Sequence, residues 1–337
     1  MNITFIIGNG FDLACGLKTR YTDAYKEYCN TKSPNRNIAL FKAEILKDNY
    51  ENWTDFEMAL PAWGITLGDF KKFEECVLDF TGFLNYYLQR QEDLIYIEKN
   101  NQALAKKLRK DFYQFYDYCL QASKSTLQSL IYDQNEDVIC NFITFNYTQT
   151  LEKCLRSLGS RIEKKGSFSY LHKAPLHIHG TLNNGLILGL DNETLYQDIP
   201  CDDIRRLRNL IDKLHINNRS SDITQAVSNV LEKSRVIVIL GWSMGESDSY
   251  WVNNLRNLFS QNSKLHLVYV PYFCEPLNKV YRNEQLNRED IQKDFIATKF
   301  GVPEAQRNRI HIITDDNYMK LDFLVNNSNN IQELVTT

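Results

Sequence analysis

Residues 235–240 read RVIVIL, and after the arginine every position is apolar and most are β-branched. A strand with one face in water alternates apolar and polar residues; a run apolar throughout has to be covered on both faces. Other short runs, β-branched or alternating, stand at NITFII (2–7), DVICNFITF (137–145), APLHIH (174–179), LILGL (186–190), KLHLVYV (264–270) and RIHIIT (309–314). Between the first and second runs the pattern changes. Phe73, Cys76, Val77, Phe80, Leu84, Tyr87 and Leu88 follow the i, i+3, i+4 rhythm of a helix, and Leu104, Leu108, Phe112, Phe115 and Cys119 suggest a second. A further helical segment, around 202–233, precedes RVIVIL. Strands alternating with helices predict a doubly wound, mostly parallel, Rossmann-like α/β sheet. The expected division is a core formed by 1–20 and 131–320, a helical insertion at 21–130 and a C-terminal tail at 321–337. The Asn-rich VNNSNNIQE (325–333) is expected to be a surface end.

Composition narrows the class. In 337 residues, 43% hydrophobic and 24% charged is the balance of a globular chain, not a disordered one. With 39 Lys+Arg against 42 Asp+Glu, bulk charge gives no signature of nucleic-acid binding. ITFII is far too short to span a bilayer, and no basic leader precedes it. The cysteines at 15, 29, 76, 119, 140, 154, 201 and 274 form no CxxC or CxxH pair, so neither a zinc ribbon nor a disulfide framework is expected. The expectation is a soluble cytoplasmic protein without a structural metal or a membrane partner.

The first run ends in Gly8-Asn9-Gly10, with Asp12 two residues on. Glycines between a strand and a helix let backbone amides face an anion, yet an aspartate there repels one. The full dinucleotide fingerprint fails, because its third glycine falls at Leu13. Asp12 is then either an acid at a helix N-terminus, favoured by the helix dipole, or an acceptor for a ribose hydroxyl. Turn geometry alone does not choose between them.

Two polar residues follow other runs: Asn146 in FITFNYTQT and His179 in PLHIHG. Ligands of open α/β sheets bind at the carboxyl ends of strands, so both are expected to face the crevice of Gly8–Asp12. His177 alternates with His179 and is expected on the same face. The plainer accounts are a turn or cap for Asn146 and a satisfied buried histidine for His179. Gly241-Trp242-Ser243-Met244-Gly245 matches the G-x-S-x-G nucleophile elbow. After Ser243, however, only His266 and His311 remain, inside apparent strands. A second phosphate- or ribose-facing loop, or a turn capped by Ser247 or Asp248, suits this stretch better.

Taken together, IIGNGFDLACGL, NWTDFEMAL, FITFNYTQTLE, HIHGTL and ILGWSMGESDSYW resemble the AbiH family of bacteriophage abortive-infection proteins, from the N-terminus to about residue 251. That family is in turn distantly similar to the sirtuin-like NAD-binding fold. The resemblance implies that Asn146 and His179 are a catalytic pair and that Gly8, Asn9, Gly10, Asp12, Gly241 and Ser243 line a nucleotide. It also makes Glu57 of NWTDFE a pocket wall, although a helix N-terminal acid is the plainer account. Thr148 stands where many relatives carry an aspartate, and the zinc-binding cysteine pairs of protein deacylases are missing, which argues against acyl-lysine as substrate. The implied function is an NAD+ glycohydrolase of phage defence, with NAD+ as substrate and no bound redox cofactor. A phage-derived trigger, a partner defence protein and a homo-oligomer fit the same expectation. The other readings are a nucleotide-binding sensor without turnover and a serine hydrolase acting through Ser243.

Overall fold

In the computed structural model, strand β1 (Asn2–Ile7) lies at the centre of the main sheet, hydrogen-bonded on both edges to parallel neighbours. The structure describes residues 1–47, 53–98, 101–132, 136–158, 163–165, 168–220, 222–271 and 283–325. On one side of β1 runs β2 (Val138–Thr144), with Ile7 opposite Thr144. Beyond β2 lie β3 (Glu163–Lys165), β4 (Phe168–His172) and β5 (Leu176–His177). The hairpin of β6 (Gly180–Thr181) and β7 (Gly185–Leu186) stands apart from the main sheet. On the other side of β1 follow β8 (Val236–Leu240), β9 (His266–Val270) and β10 (Ile310–Ile312), all parallel. The order β4-β2-β1-β8-β9-β10 is the 3-2-1-4-5-6 arrangement of two-halved dinucleotide-binding folds. The chain winds outward from β1 through β2, then returns to lay β8 on the opposite side of β1. The crevice therefore opens where β1 and β8 end, at Gly8 and Gly241.

Covering on both faces explains the unbroken apolar runs. Ile3, Phe5, Ile7, Val236, Val238 and Leu240 enter one core, while Ile6, Ile237 and Ile239 enter another on the opposite face. Phe5 is sealed from solvent, stacked on Phe142 at 5.3 Å and met edge-on by Phe112 at 5.1 Å. Truncating such a ring costs about 3–5 kcal/mol.

The expected insertion, residues 21–130, divides in two by what it packs against. The helices Tyr21–Asn30, Arg36–Lys47, Trp53–Leu67 and Phe70–Glu92 share a third core with Leu188, Leu190, Tyr196, Leu207 and Ile211. The helices Gln102–Tyr113 and Gln121–Tyr132 instead cover the sheet beside Phe5 and Phe142. They supply the helical crossover that parallel strands require.

Several sequence expectations change in detail. LILGL is not a strand of the main sheet: Leu186 pairs in the small hairpin, Leu190 forms an isolated parallel bridge with Asp212, and Leu188 and Leu190 dock on the helical core. APLHIH contributes only Leu176 and His177 to the sheet, which makes room for β4, unmarked in the sequence. Leu321 and Leu324 are buried in the first core, so the packed body runs past residue 320. Residues 326–333 of the Asn-rich segment, and Cys274, lie outside the described residues. Among the described residues the cysteines are free thiols, no cluster of three or more metal-ligating side chains occurs, and no helix is long and apolar enough to cross a membrane.

Candidate functional site

The turns after β1 and β8 are pressed against each other. Gly8 N–H donates to the Leu240 carbonyl and Gly10 N–H to that of Gly241, both at 2.9 Å. A Cβ on Gly10 would lie 2.5 Å from Gly241 Cα, and one on Gly241, which sits at φ 63°, would lie 2.5 Å from Gly10 Cα. The glycines are thus required by backbone meeting backbone. This corrects the phosphate-cradle reading of the turn: the amides of Gly8, Gly10 and Phe11 already donate to carbonyls. Asn9 spends its side chain on the same scaffold, donating to the Thr19 carbonyl at 2.8 Å and accepting from the Thr19 hydroxyl at 2.6 Å.

Asp12 turns inward from this scaffold. Its Oδ1 accepts from Asn146 Nδ2 at 3.1 Å and its Oδ2 from the Thr148 hydroxyl at 2.6 Å. Asn146 is carried there because Phe145 continues the β2 ladder, its N–H donating to the Ile7 carbonyl. Burial pushes the Asp12 carboxyl from 3.8 up to about 7, against the opposing donors Thr148 and Asn146 and with Glu92 and Glu152 adding to the rise. Asp12 does stand in the first turn of the helix Gly10–Ala14, as one account had it, but it is not an open acceptor: it is a buried carboxyl already holding two donors.

The two histidines part company. Ile178 N–H donates to the Thr144 carbonyl, which brings the segment to the end of β2, but the strand stops at His177 and strand alternation no longer applies. His177 lies between the Asn146 carbonyl (2.9 Å) and Glu152 (2.5 Å), outside the cavity described below. Burial opposes its charge, yet Glu152 outweighs that and raises its pKa. His179 faces the other way. Its Nε2 lies 3.1 Å from Asp248 Oδ1, at ion-pairing distance but off the line of a hydrogen bond, so the nitrogen has no hydrogen-bond partner. Phe145 packs edge-on to its ring at 5.1 Å and stacks on Trp242 at 4.4 Å.

Asp248 is the hub of a buried charge cluster. Lys213 Nζ donates to its Oδ1 at 2.9 Å and to Glu57 Oε2 at 2.8 Å, and Trp242 Nε1 donates to its Oδ2 at 3.2 Å. Burial works against the Asp248 charge, but Lys213 and then His179 hold it well below the usual carboxylate range. Lys213 suffers the same desolvation and is held above the ordinary lysine value by Asp248 and Glu57. Glu57 reaches in from the helix Trp53–Leu67 and also accepts from Gly189 N–H at 3.1 Å.

Asp12, Asn146, His179, Asp248 and Glu57 surround one cavity of about 400 Å³, a common size for a small-molecule site. Gly8, Asn9, Gly10, Asp12, Asn146, His179, Gly241 and Ser243 all line it, as does Glu57. The sequence reading missed Lys213, for which a lone lysine in DKLHINN gives no signal. Asp248 does stand at the N-cap position of the helix Ser249–Gln261, but its side chain makes no capping hydrogen bond and turns to Lys213 instead.

The nucleophile elbow does not form around Ser243. A nucleophile elbow is a sharp, strained turn with the serine at its tip; here the left-handed residues are Gly241 and Met244, at φ 63° and 54°, on either side of Ser243. His266 and His311 bond to each other at 3.0 Å on β9 and β10.

A comparison with curated proteins gives no match. A family model described as bacteriophage abortive infection AbiH matches residues 4–269, which takes in most of β1, all of β2 and β8 and every cavity residue named above. The chain therefore belongs to the AbiH family of bacteriophage abortive infection proteins.

Proposed function

We propose that within its abortive-infection role this protein is an NAD+ glycohydrolase. The observation that carries the reading is the convergence of Asp12, Asn146 and His179 on one cavity at the switch point of a dinucleotide-type sheet. Breaking the C1′–N bond sends the electron pair to the pyridinium nitrogen, so nicotinamide leaves neutral and needs no acid. Oxocarbenium character develops on the ribose. Asn146 Oδ1, buried and without a partner, accepts from a ribose hydroxyl while Asp12 fixes its amide nitrogen. Water adds at C1′ as His179 takes its proton, and Asp248 stabilises the imidazolium that forms. Asp12, ionised above about pH 7, supplies negative charge to the developing cation.

A second reading, nucleotide sensing without turnover, draws on Thr148: with Asn146 it occupies both Asp12 oxygens and weakens any grip on ribose. The test is nicotinamide release by purified protein, alone and in phage-infected extract. Wild type should release nicotinamide, and Asn146→Ala or His179→Ala should stop it while melting cooperatively. NAD+ binding without release in either setting replaces the enzyme with the sensor, and fully active alanine variants move the site elsewhere.

A further inference from the structure

The cavity wall carries a charge imbalance. Among the described residues, its lining holds the carboxyl groups of Asp12, Glu57 and Asp248 against one guanidinium, that of Arg20, which is exposed. Behind the wall a single ammonium, Lys213, serves both Glu57 and Asp248. These side chains come from three separate parts of the fold and are nearly sealed from water, where an uncompensated charge is costly. A cation in the cavity would meet the remaining negative charge.

The cavity also asks for a polar guest. Asn146 Oδ1, His179 Nε2 and Ser247 Oγ line it without hydrogen-bond partners, on side chains more than nine-tenths buried. Buried polar atoms are seldom left so. Asn146 Oδ1 can only accept, so its partner must be a hydroxyl or amide donor. Phe145, Tyr147 and Trp242 give the cavity aromatic walls, whose ring faces attract cations. A phosphate would meet carboxylates there, with the glycine-turn amides of Gly8 and Gly10 already engaged.

We propose that the cavity selects a planar cationic ring carrying a hydroxylated sugar, an N-ribosylpyridinium, and leaves any phosphate on the side of Arg20. The choice of ring rests on the glycohydrolase reading, and the proposal deepens it: the inner cavity recognises the cationic nucleoside half of the substrate through the Glu57–Lys213–Asp248 cluster.

The test compares equilibrium binding of nicotinamide riboside with that of its dihydro form, which has closely similar shape and no ring charge, and with inosine as a neutral nucleoside. The cation should bind roughly tenfold or more tightly than either, and Glu57→Gln should narrow that ratio. Equal binding of cation and dihydro form by the wild type, or no binding of either, overturns the proposal whether or not the variant folds. Nicotinamide release from NAD+ without cation preference keeps the glycohydrolase and removes this inference. Cation preference without release does the reverse.

Discussion

Asp12→Asn should make this protein more stable, by an amount that depends on pH. The Asp12 carboxyl is buried and protonates at about 7 in the folded chain, against an ordinary value of 3.8. Between those values the unfolded chain has lost the proton while the folded chain keeps it. Stability therefore falls as pH rises from about 4 to about 7 and is flat above, because both states are then ionised. At about 1.4 kcal/mol per tenfold, the cost reaches about 4 kcal/mol at pH 8 and only about 1.5 kcal/mol at pH 5. An asparagine keeps the shape and removes the charge: Asn146 still finds a carbonyl oxygen, and the Thr148 hydroxyl can accept where it now donates. The nearby charges of Glu92 and Glu152 cease to oppose it. For a chain of 337 residues, 4 kcal/mol corresponds to about 6 °C in melting temperature. Calorimetric melts of both proteins at pH 5, 6, 7 and 8 would measure this. The gain should grow up to pH 7 and then level off. A difference that stays flat across the range, or a variant that melts below wild type at pH 8, refutes the reasoning.

Other perturbations separate scaffold from chemistry. Gly10→Ala forces a Cβ to within 2.5 Å of Gly241 Cα and should destabilise the chain by about 1–3 kcal/mol in urea titrations, with nucleotide binding lost alongside. Lys213→Met leaves Glu57 and Asp248 buried without their shared cation and should cost about 3–5 kcal/mol. Adding Glu57→Gln should recover part of that loss in a double-mutant cycle. Ser243→Ala should leave nicotinamide release largely intact, and a fluorophosphonate should fail to label Ser243; labelling together with loss of activity would revive the serine hydrolase.

The sequence by itself determined the strands β1, β2, β8, β9 and β10 and the position of the sheet's open end. Runs such as VIVIL, with no polar position, can be satisfied only by cover on both faces, and that requirement is written in single residues. It follows that Gly8, Asn146 and Gly241, each just past such a run, share one edge. The stripe from Phe73 to Leu88 likewise names its helix, since an apolar face is a local property. Tertiary structure alone decided the partners. Gly10 looks like a phosphate turn until the chain returns with Gly241 and fills the space with backbone. His177 and His179 look equivalent until β5 ends between them and sends one to Glu152 and the other to Asp248. Glu57, Lys213 and Asp248 come from distant stretches, and no local pattern marks a lysine as the one that two carboxylates will surround. Burial, which only the assembled layers create, then turned Asp12 from an ordinary acid into a group that titrates at about 7.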